Sequence, residues 1–251
     1  MFDLHTHTTF SDGRNSPEEM VLSAIGMGMS TLGISDHSYT SFDESYCIPR
    51  HRLEEYKSCI RMLKEKYRDR IELRLGLEKD YYSDTVDDGC DYLIGSVHYM
   101  KIGEEYVPVD RSAKTLIDAA SRHFGGDIYS LAEIYYSTVS DVITHTHADI
   151  IGHFDLFKKF NRDGSIFDET APRYKKMVID AADKLLACGV PFEINTGAIS
   201  RGYRDDTYPS PEMIGYIKAR GGKLILSSDS HSAKGLCFAF GQFEECIGSV
   251  L

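Results

Sequence analysis

The chain has 251 residues and a formal net charge of −11, from 28 Lys and Arg against 39 Asp and Glu. This acidic balance disfavours a nucleic-acid polymer as the ligand but is compatible with a small phosphate ester. The apolar fraction of 42% allows a large core, and the length is typical of one (β/α) barrel of about 250 residues. We therefore expect a single domain over residues 1–251.

The sequence predicts no secretory signal, no membrane span and no cysteine pairs. The first residues lack a basic segment followed by an apolar run, and no stretch reaches the roughly 18 apolar residues of a membrane span. The six cysteines form no CxxC pair, so we expect reduced thiols, a cytoplasmic location and no membrane partner. Nothing in the sequence decides the oligomeric state.

Short apolar strands alternate with helices along the chain. Strands are predicted at residues 2–7, 31–35, 71–77, 92–97, 150–152, 190–194 and 223–227. Helices are predicted from a capping box at Ser16 and Glu19 to Gly26, and at residues 51–69, 112–124, 128–145, 168–188, 210–220 and 236–248, with a hairpin at 99–109. The alternation implies a parallel sheet covered by helices. About seven such units favour a closed or nearly closed barrel over an open doubly wound sheet, which usually carries a Gly-rich loop after its first strand.

Histidines and carboxylates occur where the predicted strands end. His5 and His7 end the first strand, and similar residues follow the later strands, namely His37, Glu78, His98, His153, Glu193 with Asn195, and Asp229 with His231. The C-terminal ends of parallel barrel strands share one face, and active sites lie on that face. We therefore predict that residues as distant in sequence as His5 and His231 converge in one pocket.

Imidazole and carboxylate groups in one pocket predict a metal centre. The spacing of His5 and His7 directs both imidazoles to one side of a strand, and such ligands suit zinc, iron or manganese. A lone histidine at a strand end is more often structural. The whole set, however, is hard to bury without compensation, because each unpaired polar group costs roughly 2–7 kcal/mol. One four-coordinate ion uses fewer ligands, so we predict two or three divalent metal ions with a bridging carboxylate.

Several short motifs, taken in order, resemble the polymerase and histidinol phosphatase (PHP) superfamily. They are His5-Thr6-His7, Ser11-Asp12-Gly13, Asp36-His37, Gly76-Leu77-Glu78, Gly95-Ser96-Val97-His98, Gly152-His153-Phe154-Asp155 and Ser228-Asp229-Ser230-His231. Together they extend from residue 3 to about 235, which is nearly the whole chain. The chain length, the His98 segment and residues 151–155 are similar to the histidinol-phosphate phosphatase branch.

The resemblance implies an α/β fold, a distorted (β/α)7 TIM-like barrel, with a centre of three metal ions. By this analogy the first metal is held by His5, His7, Glu78 and Asp229. Glu78 bridges to a second metal that is also held by His98 and His153, and the third metal is held by Asp12, His37 and His231. Some members of the superfamily have a histidine at the position of Asp12. The harder carboxylate is expected to change the metal preference of this third site or to loosen its binding.

Basic and acidic loop residues are candidates for substrate binding. Arg162 and Arg201 lie in loops after predicted strand ends, and a guanidinium suits bidentate binding of phosphate, although each is also compatible with a solvated loop charge. The segment 41–50 is long enough to form a lid over the substrate. In this lid, Asp43 or Glu44 could pair with an ammonium or imidazolium group.

The resemblance implies hydrolysis of L-histidinol phosphate to L-histidinol and phosphate in histidine biosynthesis, by attack of a metal-bound hydroxide. Asp229, Glu78 and His231 are the expected catalytic residues, and Asp229 or a metal-bound water is the candidate proton donor. Asp36 and Asp155 are expected to orient imidazoles. Two alternatives stay open. One is a PHP-type phosphoesterase acting on another small phosphate ester, a nucleotide or a DNA end, and the other is a non-catalytic metal-binding module.

Overall fold

A barrel of parallel strands forms the centre of the protein. The computed structural model describes residues 1–85, 87 and 89–247. Its strands are β1 (Phe2–Asp3), β2 (Thr31–Ile34), β3 (Glu72–Asp80), β4 (Tyr92–Ser96), β5 (Tyr99–Ile102), β6 (Glu105–Pro108), β7 (Ile150–Ile151), β8 (Phe192–Asn195) and β9 (Leu224–Ser227). Strands β5 and β6 form the predicted antiparallel hairpin, and the other seven pair in parallel in chain order from β1 to β9.

The two outer strands of this sheet meet beyond their ends. A parallel bridge joins Thr6, after β1, to Ser230, after β9. The amide of His7 donates to Ser230 O at 2.9 Å, and the amide of Ser230 donates to His5 O at 3.2 Å. These bonds close the sheet, which confirms the predicted distorted (β/α)7 barrel. They also place the residues that follow β1 beside those that follow β9.

Helices cover the outside of the barrel. They are α1 (Pro17–Gly26), α2 (Leu53–Tyr67), α3 (Ala113–Phe124), α4 (Ile128–Val139), α5 (Val142–Thr146), α6 (Pro172–Leu186), α7 (Gly197–Ser200) and α8 (Pro211–Ala219). The predicted capping box starts α1, since the amide of Ser16 donates to the Glu19 carboxylate at 2.7 Å and Ser16 Oγ accepts from the Glu19 amide. None of the helices within the described residues combines the length and apolar character needed to cross a bilayer.

Two predicted helices differ from the observed ones in more than their end residues. The helix predicted at 128–145 is divided into α4 and α5 at Ser140, whose hydroxyl donates to Ser137 O at 2.8 Å and so competes with the helical backbone pattern. The helix predicted at 236–248 is wrong for the residues described, which form 3-10 turns at Phe240–Gln242 and Glu244–Cys246. Cys237 and Ala239 have φ values of 52° and 58°, which interrupt a right-handed helix. Position 248 lies outside the described residues.

Apolar side chains fill the interior of the barrel below the strand ends. Tyr92 and Ile94 of β4 and Ile150 of β7 form a buried cluster with Leu4 and Ile225 packed against it. The ring of Tyr92 lies against Gly33 and Gly76, where an added Cβ would overlap it. Because this end of the barrel is packed, open space for a ligand is left at the C-terminal ends of the strands.

Candidate metal centre

The buried carboxylate of Glu78 lies at the centre of the polar cluster. Its Oε2 atom is 3.2 Å from His5 Nε2, 3.5 Å from His7 Nε2 and 2.8 Å from His37 Nδ1. His5 and His7 follow β1, His37 follows β2, and Glu78 lies near the end of β3. The closed parallel barrel therefore brings these strand-end residues together.

The second carboxylate oxygen of Glu78 faces a different pair of imidazoles. Its Oε1 atom is 2.8 Å from His153 Nε2 and 3.4 Å from His98 Nε2. The other ring nitrogen of His98 lies 3.2 Å from Asp80 Oδ2, and the His98 amide donates to the same oxygen at 3.0 Å. Asp80 therefore orients the His98 imidazole toward Glu78, as partners behind metal ligands commonly do. Glu78 has one oxygen for each group of imidazoles, which suits a bridging ligand.

Asp229 closes the cluster on the side of the last strand. Its Oδ1 atom is 3.2 Å from His7 Nε2 and 3.6 Å from His231 Nδ1. Its Oδ2 atom accepts a hydrogen bond from Arg201 Nη2 at 2.8 Å, and its backbone oxygen accepts from Arg201 Nη1 at 2.8 Å. Asp229 is only 6% exposed. The Arg201 guanidinium therefore compensates part of the charge of a buried carboxylate.

Asp12 and His231 form the more exposed edge of the cluster. Asp12 Oδ1 lies 3.7 Å from His37 Nε2, and Asp12 Oδ2 lies 3.3 Å from His231 Nε2. The rings of His37 and His231 each stack on His7, with centroids 4.3 Å and 4.2 Å away. The side chain of Asp12 is 36% exposed, so this part of the cluster is accessible from solvent.

In each of three groups of residues, the potential ligand atoms lie within 4.8 Å of one another. They are His5, His7 and Asp229; His37, Glu78 and His98; and His7, Asp12, His37 and His231. The first group belongs to the ligands predicted for the first ion, and the third group contains all three ligands predicted for the third ion. His153 contacts Glu78 but is not part of the second group. All nine predicted ligands thus lie in one cluster, and their assignment to individual ions stays a prediction.

Unpartnered atoms in this cluster test whether metal ions fit it. His5 Nε2, both ring nitrogens of His7, and Glu78 Oε2 are buried, and the short contacts that they make within the cluster do not have hydrogen-bond geometry. These atoms therefore lack a hydrogen-bond partner among the described residues. Leaving such groups unpaired in the interior costs several kcal/mol each, roughly 2–7. Divalent cations bound between these nitrogen and oxygen atoms would satisfy them, so the residues present fit metal ions.

Two ligands of the cluster, Glu78 and His7, are in the protonation state that binds metals. Burial would raise the pKa of Glu78, but the imidazoles of His37, His5 and His98 outweigh it and hold that pKa well below its ordinary value. Burial, together with the nearby charges of His231 and His37, lowers the pKa of His7 to about 3. Glu78 therefore offers an ionised carboxylate and His7 a neutral imidazole, which are the forms that bind metals. Burial alone would lower the pKa of His5, His37 and His98, but the nearby carboxylates outweigh it and raise the pKa, so a bound metal would displace protons from these imidazoles.

The expectation that Asp36 and Asp155 orient imidazoles is wrong, because each contacts other groups. Asp36 accepts hydrogen bonds from the amide and the hydroxyl of Thr8, both at 2.7 Å, and from the hydroxyl of Ser11. It therefore holds the loop that carries Asp12. Asp155 instead lies 3.0 Å from Lys158 Nζ and accepts from the amide of Ser210 at 3.0 Å.

A cavity of about 330 Å³ opens onto the cluster. Its walls include the predicted ligands Asp12, His37, His98, His153, Asp229 and His231. The other wall residues are Asp43, Ser45, Tyr46, Tyr99, Pro108, Asp110, Arg111, Leu156, Lys159, Arg201 and Tyr203. Both cationic and anionic side chains line this space, so it suits a small ligand that carries both charges.

The two arginines predicted to bind phosphate have different positions. Arg201 lines the cavity beside Asp229 and is 30% exposed. Arg162 does not line it, and its guanidinium donates to both oxygens of Asp205, at 2.8 and 2.6 Å. The structure therefore brings Arg201, and not Arg162, to the cluster.

Sequence reasoning missed Lys159 and left the contacts of Glu193 undetermined. Lys159 lines the cavity and donates to the backbone oxygen and the carboxylate of Asp110, at 3.1 and 3.3 Å. It follows His153 in the same strand-end loop as Arg162, which is the signal that could have found it. Glu193 lies behind His5 and accepts from the His153 amide. Its position at the end of the sixth barrel strand was noted, but the sequence does not show which group it contacts.

The family of the chain follows from its similarity to known proteins. The model of the PHP domain family matches residues 3–197. The chain belongs to this family. This PHP-domain chain is 29% identical to a probable histidinol-phosphatase of Deinococcus radiodurans over 252 residues, which covers 95% of this chain and 89% of that protein.

Two solved structures share the fold of this PHP-domain chain. A candidate histidinol phosphatase of Listeria monocytogenes has a TM-score of 0.82 at 19% identity, with 97% of this chain and 100% of that chain covered. The histidinol phosphate phosphatase of Lactococcus lactis, solved with zinc, L-histidinol and phosphate, has a TM-score of 0.71 at 20% identity, with coverage of 98% and 93%. The barrel is therefore the fold of both structures.

Proposed function

We propose that this protein is a metal-dependent phosphatase that hydrolyses L-histidinol phosphate to L-histidinol and phosphate. The observation that carries the proposal is the set of buried, unpartnered nitrogen and oxygen atoms of His5, His7 and Glu78 beside a cavity of about 330 Å³. The Deinococcus relative bears the name of this activity. The Lactococcus structure contains zinc and both products of the reaction.

Nine residues would hold the metal ions. The first ion would be bound by His5, His7, Glu78 and Asp229, the second by Glu78, His98 and His153, and the third by Asp12, His37 and His231. When bound, such ions lower the pKa of water to about 7 and neutralise charge on the phosphoryl oxygens. Glu78 could bind at least two ions, because its Oε2 atom faces three imidazoles and its Oε1 atom faces two others.

Arg201 and Lys159 would stabilise the phosphoryl group. Both line the cavity that opens onto the cluster, and positive groups fixed near the phosphoryl oxygens stabilise the charge that they carry in the transition state. Arg201 is held in place by two hydrogen bonds to Asp229, and Lys159 by two to Asp110. The phosphate would therefore lie between fixed cations rather than between mobile surface chains.

Asp229 would accept a proton from the attacking water. Burial would raise its pKa, but the Arg201 guanidinium and the His5 imidazole hold the pKa well below its ordinary value. An ionised carboxylate has no proton to donate at neutral pH, so this charge state argues against Asp229 as the proton donor that the sequence left open. This charge state supports a role for Asp229 at the start of the reaction, with His231 3.6 Å away as the neighbouring titratable group.

Steady-state phosphate release tests the proposal. Metal-reconstituted protein is assayed with L-histidinol phosphate, p-nitrophenyl phosphate and a nucleoside monophosphate. We expect kcat/KM for L-histidinol phosphate to exceed the others by at least ~10³-fold, which corresponds to several kcal/mol of differential transition-state binding. Equal turnover of all three esters would contradict the substrate, and no turnover of any would contradict the phosphatase activity.

A further inference from the structure

Segment 41–50, the predicted lid, contributes Asp43, Ser45 and Tyr46 to the cavity wall and is anchored by aromatic side chains. Phe42 stacks on Tyr106 of the hairpin, with ring centroids 3.9 Å apart and planes 1° apart. Its ring also packs edge-on against Tyr99, at 4.8 Å, and Tyr82, at 6.5 Å. The residue next to Phe42 is Asp43, which lines the cavity. The Asp43 carboxylate is therefore positioned before a ligand arrives, which reduces the entropy lost on binding.

Asp43 is a mostly buried carboxylate with an exposed counterion. Its Oδ2 atom accepts from Tyr99 Oη at 2.7 Å and from Arg111 Nη2 at 2.8 Å, while Oδ1 accepts from the amide of Ser45 at 3.1 Å. The side chain of Asp43 is 17% exposed, whereas that of Arg111 is 60% exposed. The guanidinium can therefore leave for solvent at little cost, and Asp43 would stay hydrogen-bonded to Tyr99 and Ser45.

The other carboxylate of this wall has a different counterion. Asp110 is paired with Lys159, whose side chain is only 10% exposed. Separating this pair would leave a buried ammonium without its partner, which is strongly unfavourable. An ion pair with one solvent-exposed partner, such as Arg111 in its pair with Asp43, contributes less. Of these two carboxylates, Asp43 is thus the one whose counterion can be exchanged for a cation of the ligand.

A short aromatic wall connects Asp43 to the metal cluster. The ring of Tyr46 meets the imidazole of His37 edge-on, with centroids 4.9 Å apart, and lies 6.0 Å from the ring of His98. Tyr46 is also 6.0 Å from Tyr99, whose hydroxyl donates to Asp43. A small molecule with phosphate at one end, an aromatic ring and a cation would match the groups along this wall.

We propose that Asp43 binds the ammonium group of the substrate, in place of Arg111, while Tyr46 and Tyr99 pack against its imidazole ring. This inference rests on the proposed function and names the residue that selects the substrate. The ammonium is the cation in question, because a free imidazole with a pKa near 6.5 is mostly neutral at pH 7, whereas the amine is protonated.

The substitution Asp43→Asn tests the contact, because it removes the charge and keeps the shape. Loss of a charge-assisted hydrogen bond of this type lowers the affinity about tenfold to hundredfold. We expect KM for L-histidinol phosphate to rise by that factor with kcat little changed. The same variant should leave kcat/KM within about threefold for 3-(imidazol-4-yl)propyl phosphate, which lacks the amino group, and for p-nitrophenyl phosphate.

Glu44→Gln is the matched control. It removes the same charge from the same lid, but Glu44 is exposed, accepts from Tyr39 Oη at 2.7 Å and does not line the cavity. Its KM for L-histidinol phosphate should stay close to that of the wild type. A rise equal to that of Asp43→Asn would mean that net lid charge, and not contact with Asp43, attracts the substrate, and would overturn the inference.

Asp43→Asn could raise KM either by removing the contact with the ammonium group or by loosening the lid. Arg111→Met distinguishes these two causes. If the ammonium competes with Arg111, removing the guanidinium should lower KM for L-histidinol phosphate about twofold to fivefold, the strength of an exposed ion pair. If the Asp43–Arg111 pair only holds the lid closed, Arg111→Met should instead raise KM as Asp43→Asn does. That result would overturn the inference.

The substrate series also separates this inference from the proposed function. Suppose that the wild-type protein prefers L-histidinol phosphate over p-nitrophenyl phosphate, but Asp43→Asn lowers kcat/KM by the same factor for esters with and without an amino group. The inference is then wrong, and the proposed function stands. If the wild-type protein shows no preference for L-histidinol phosphate over p-nitrophenyl phosphate, the proposed function fails, and the inference fails with it.

Discussion

Glu193 Oε2 lies 2.8 Å from His5 Nδ1 in the interior of the barrel, while the opposite ring nitrogen of His5 faces Glu78 at 3.2 Å. The same Glu193 oxygen accepts from Ser227 Oγ at 2.6 Å, and Oε1 accepts from Asn195 Nδ2 at 2.9 Å. Glu193 therefore fixes the orientation and tautomer of His5 from behind, without facing the cluster itself.

Replacing Glu193 with Gln should weaken metal binding. The substitution keeps the shape but removes the charge that orients His5, and partners of this kind typically contribute about 10–100-fold to metal affinity. Competition against a chelator, read out as metal content per chain, measures the change. Glu212→Gln, at a carboxylate that is 75% exposed on α8, is the control and should bind metal as the wild type does. Unchanged affinity in the Glu193 variant would contradict the orienting role.

Glu78→Gln should abolish most activity. Glu78 contacts imidazoles through both of its oxygens, and it is proposed to bridge two ions. A direct ligand should matter at least as much as an outer partner, so we expect kcat/KM to fall by more than about 100-fold together with metal content. A variant that keeps its metals and its activity would exclude Glu78 as the bridging ligand.

Asp12→Ala should remove one metal ion and leave the rest of the cluster. Asp12 contacts only His37 and His231 among the predicted ligands, and its side chain is 36% exposed. Elemental analysis should show a loss of about one ion per chain, because the loss of one ligand weakens the ion that it holds. Asp163→Ala, in an exposed loop, is the control. Loss of all metal would show that the sites are not separable.

Arg201 and Arg162 provide a matched pair of substitutions. Arg201→Met removes a fixed cation that lines the cavity, and the loss of one group that stabilises transition-state charge costs about 10²–10³-fold in kcat. Arg162→Met removes the surface pair with Asp205 and should change kcat by less than about twofold. Phosphate release under saturating substrate measures both. Equal losses in the two variants would contradict the placement of the phosphate beside Arg201.

Arg204→Met should destabilise the fold without a direct effect on the cluster. Arg204 is 8% exposed and holds Glu169 at 3.0 Å and Asp206 at 2.6 Å. Breaking a buried pair costs about 3–5 kcal/mol of unfolding free energy, and we expect about 2 kcal/mol here because the carboxylates are partly exposed. Urea unfolding measures the loss. Arg173→Met, at an arginine 44% exposed on α6, is the control and should have little effect.

The stabilisation of the fold by the ion pairs of Arg204 with Glu169 and Asp206 should depend on pH. Burial would raise the pKa of Asp206, but the hydrogen bond from Arg204 and the charge of Lys158 bring the pKa below its ordinary value of 3.8. A carboxylate with a depressed folded pKa stabilises the fold above its unfolded pKa and loses this effect as the pH falls through the folded value. The difference between wild type and Arg204→Met should therefore shrink below about pH 4. A constant difference would argue against the charged pair.

Local patterns in the sequence determined the barrel and the identity of the polar residues at its strand ends. Alternating strands and helices require a parallel sheet, and a parallel barrel places every strand C-terminus on one face. His5, Glu78 and Asp229 therefore had to approach one another, whatever the details of the helices. The family resemblance, carried by motifs at these same positions, is confirmed by the match of the PHP domain over residues 3–197.

Only the tertiary structure decided the direction of the loop side chains. Arg162 and Arg201 both follow strand ends, yet one pairs with Asp205 at the surface and the other with Asp229 in the cavity. Lys159 enters the cavity because Asp110, from the distant segment after β6, accepts its hydrogen bonds. The reason is physical: strand periodicity follows from neighbours in sequence, whereas the orientation of a loop side chain depends on contacts between segments far apart in the chain.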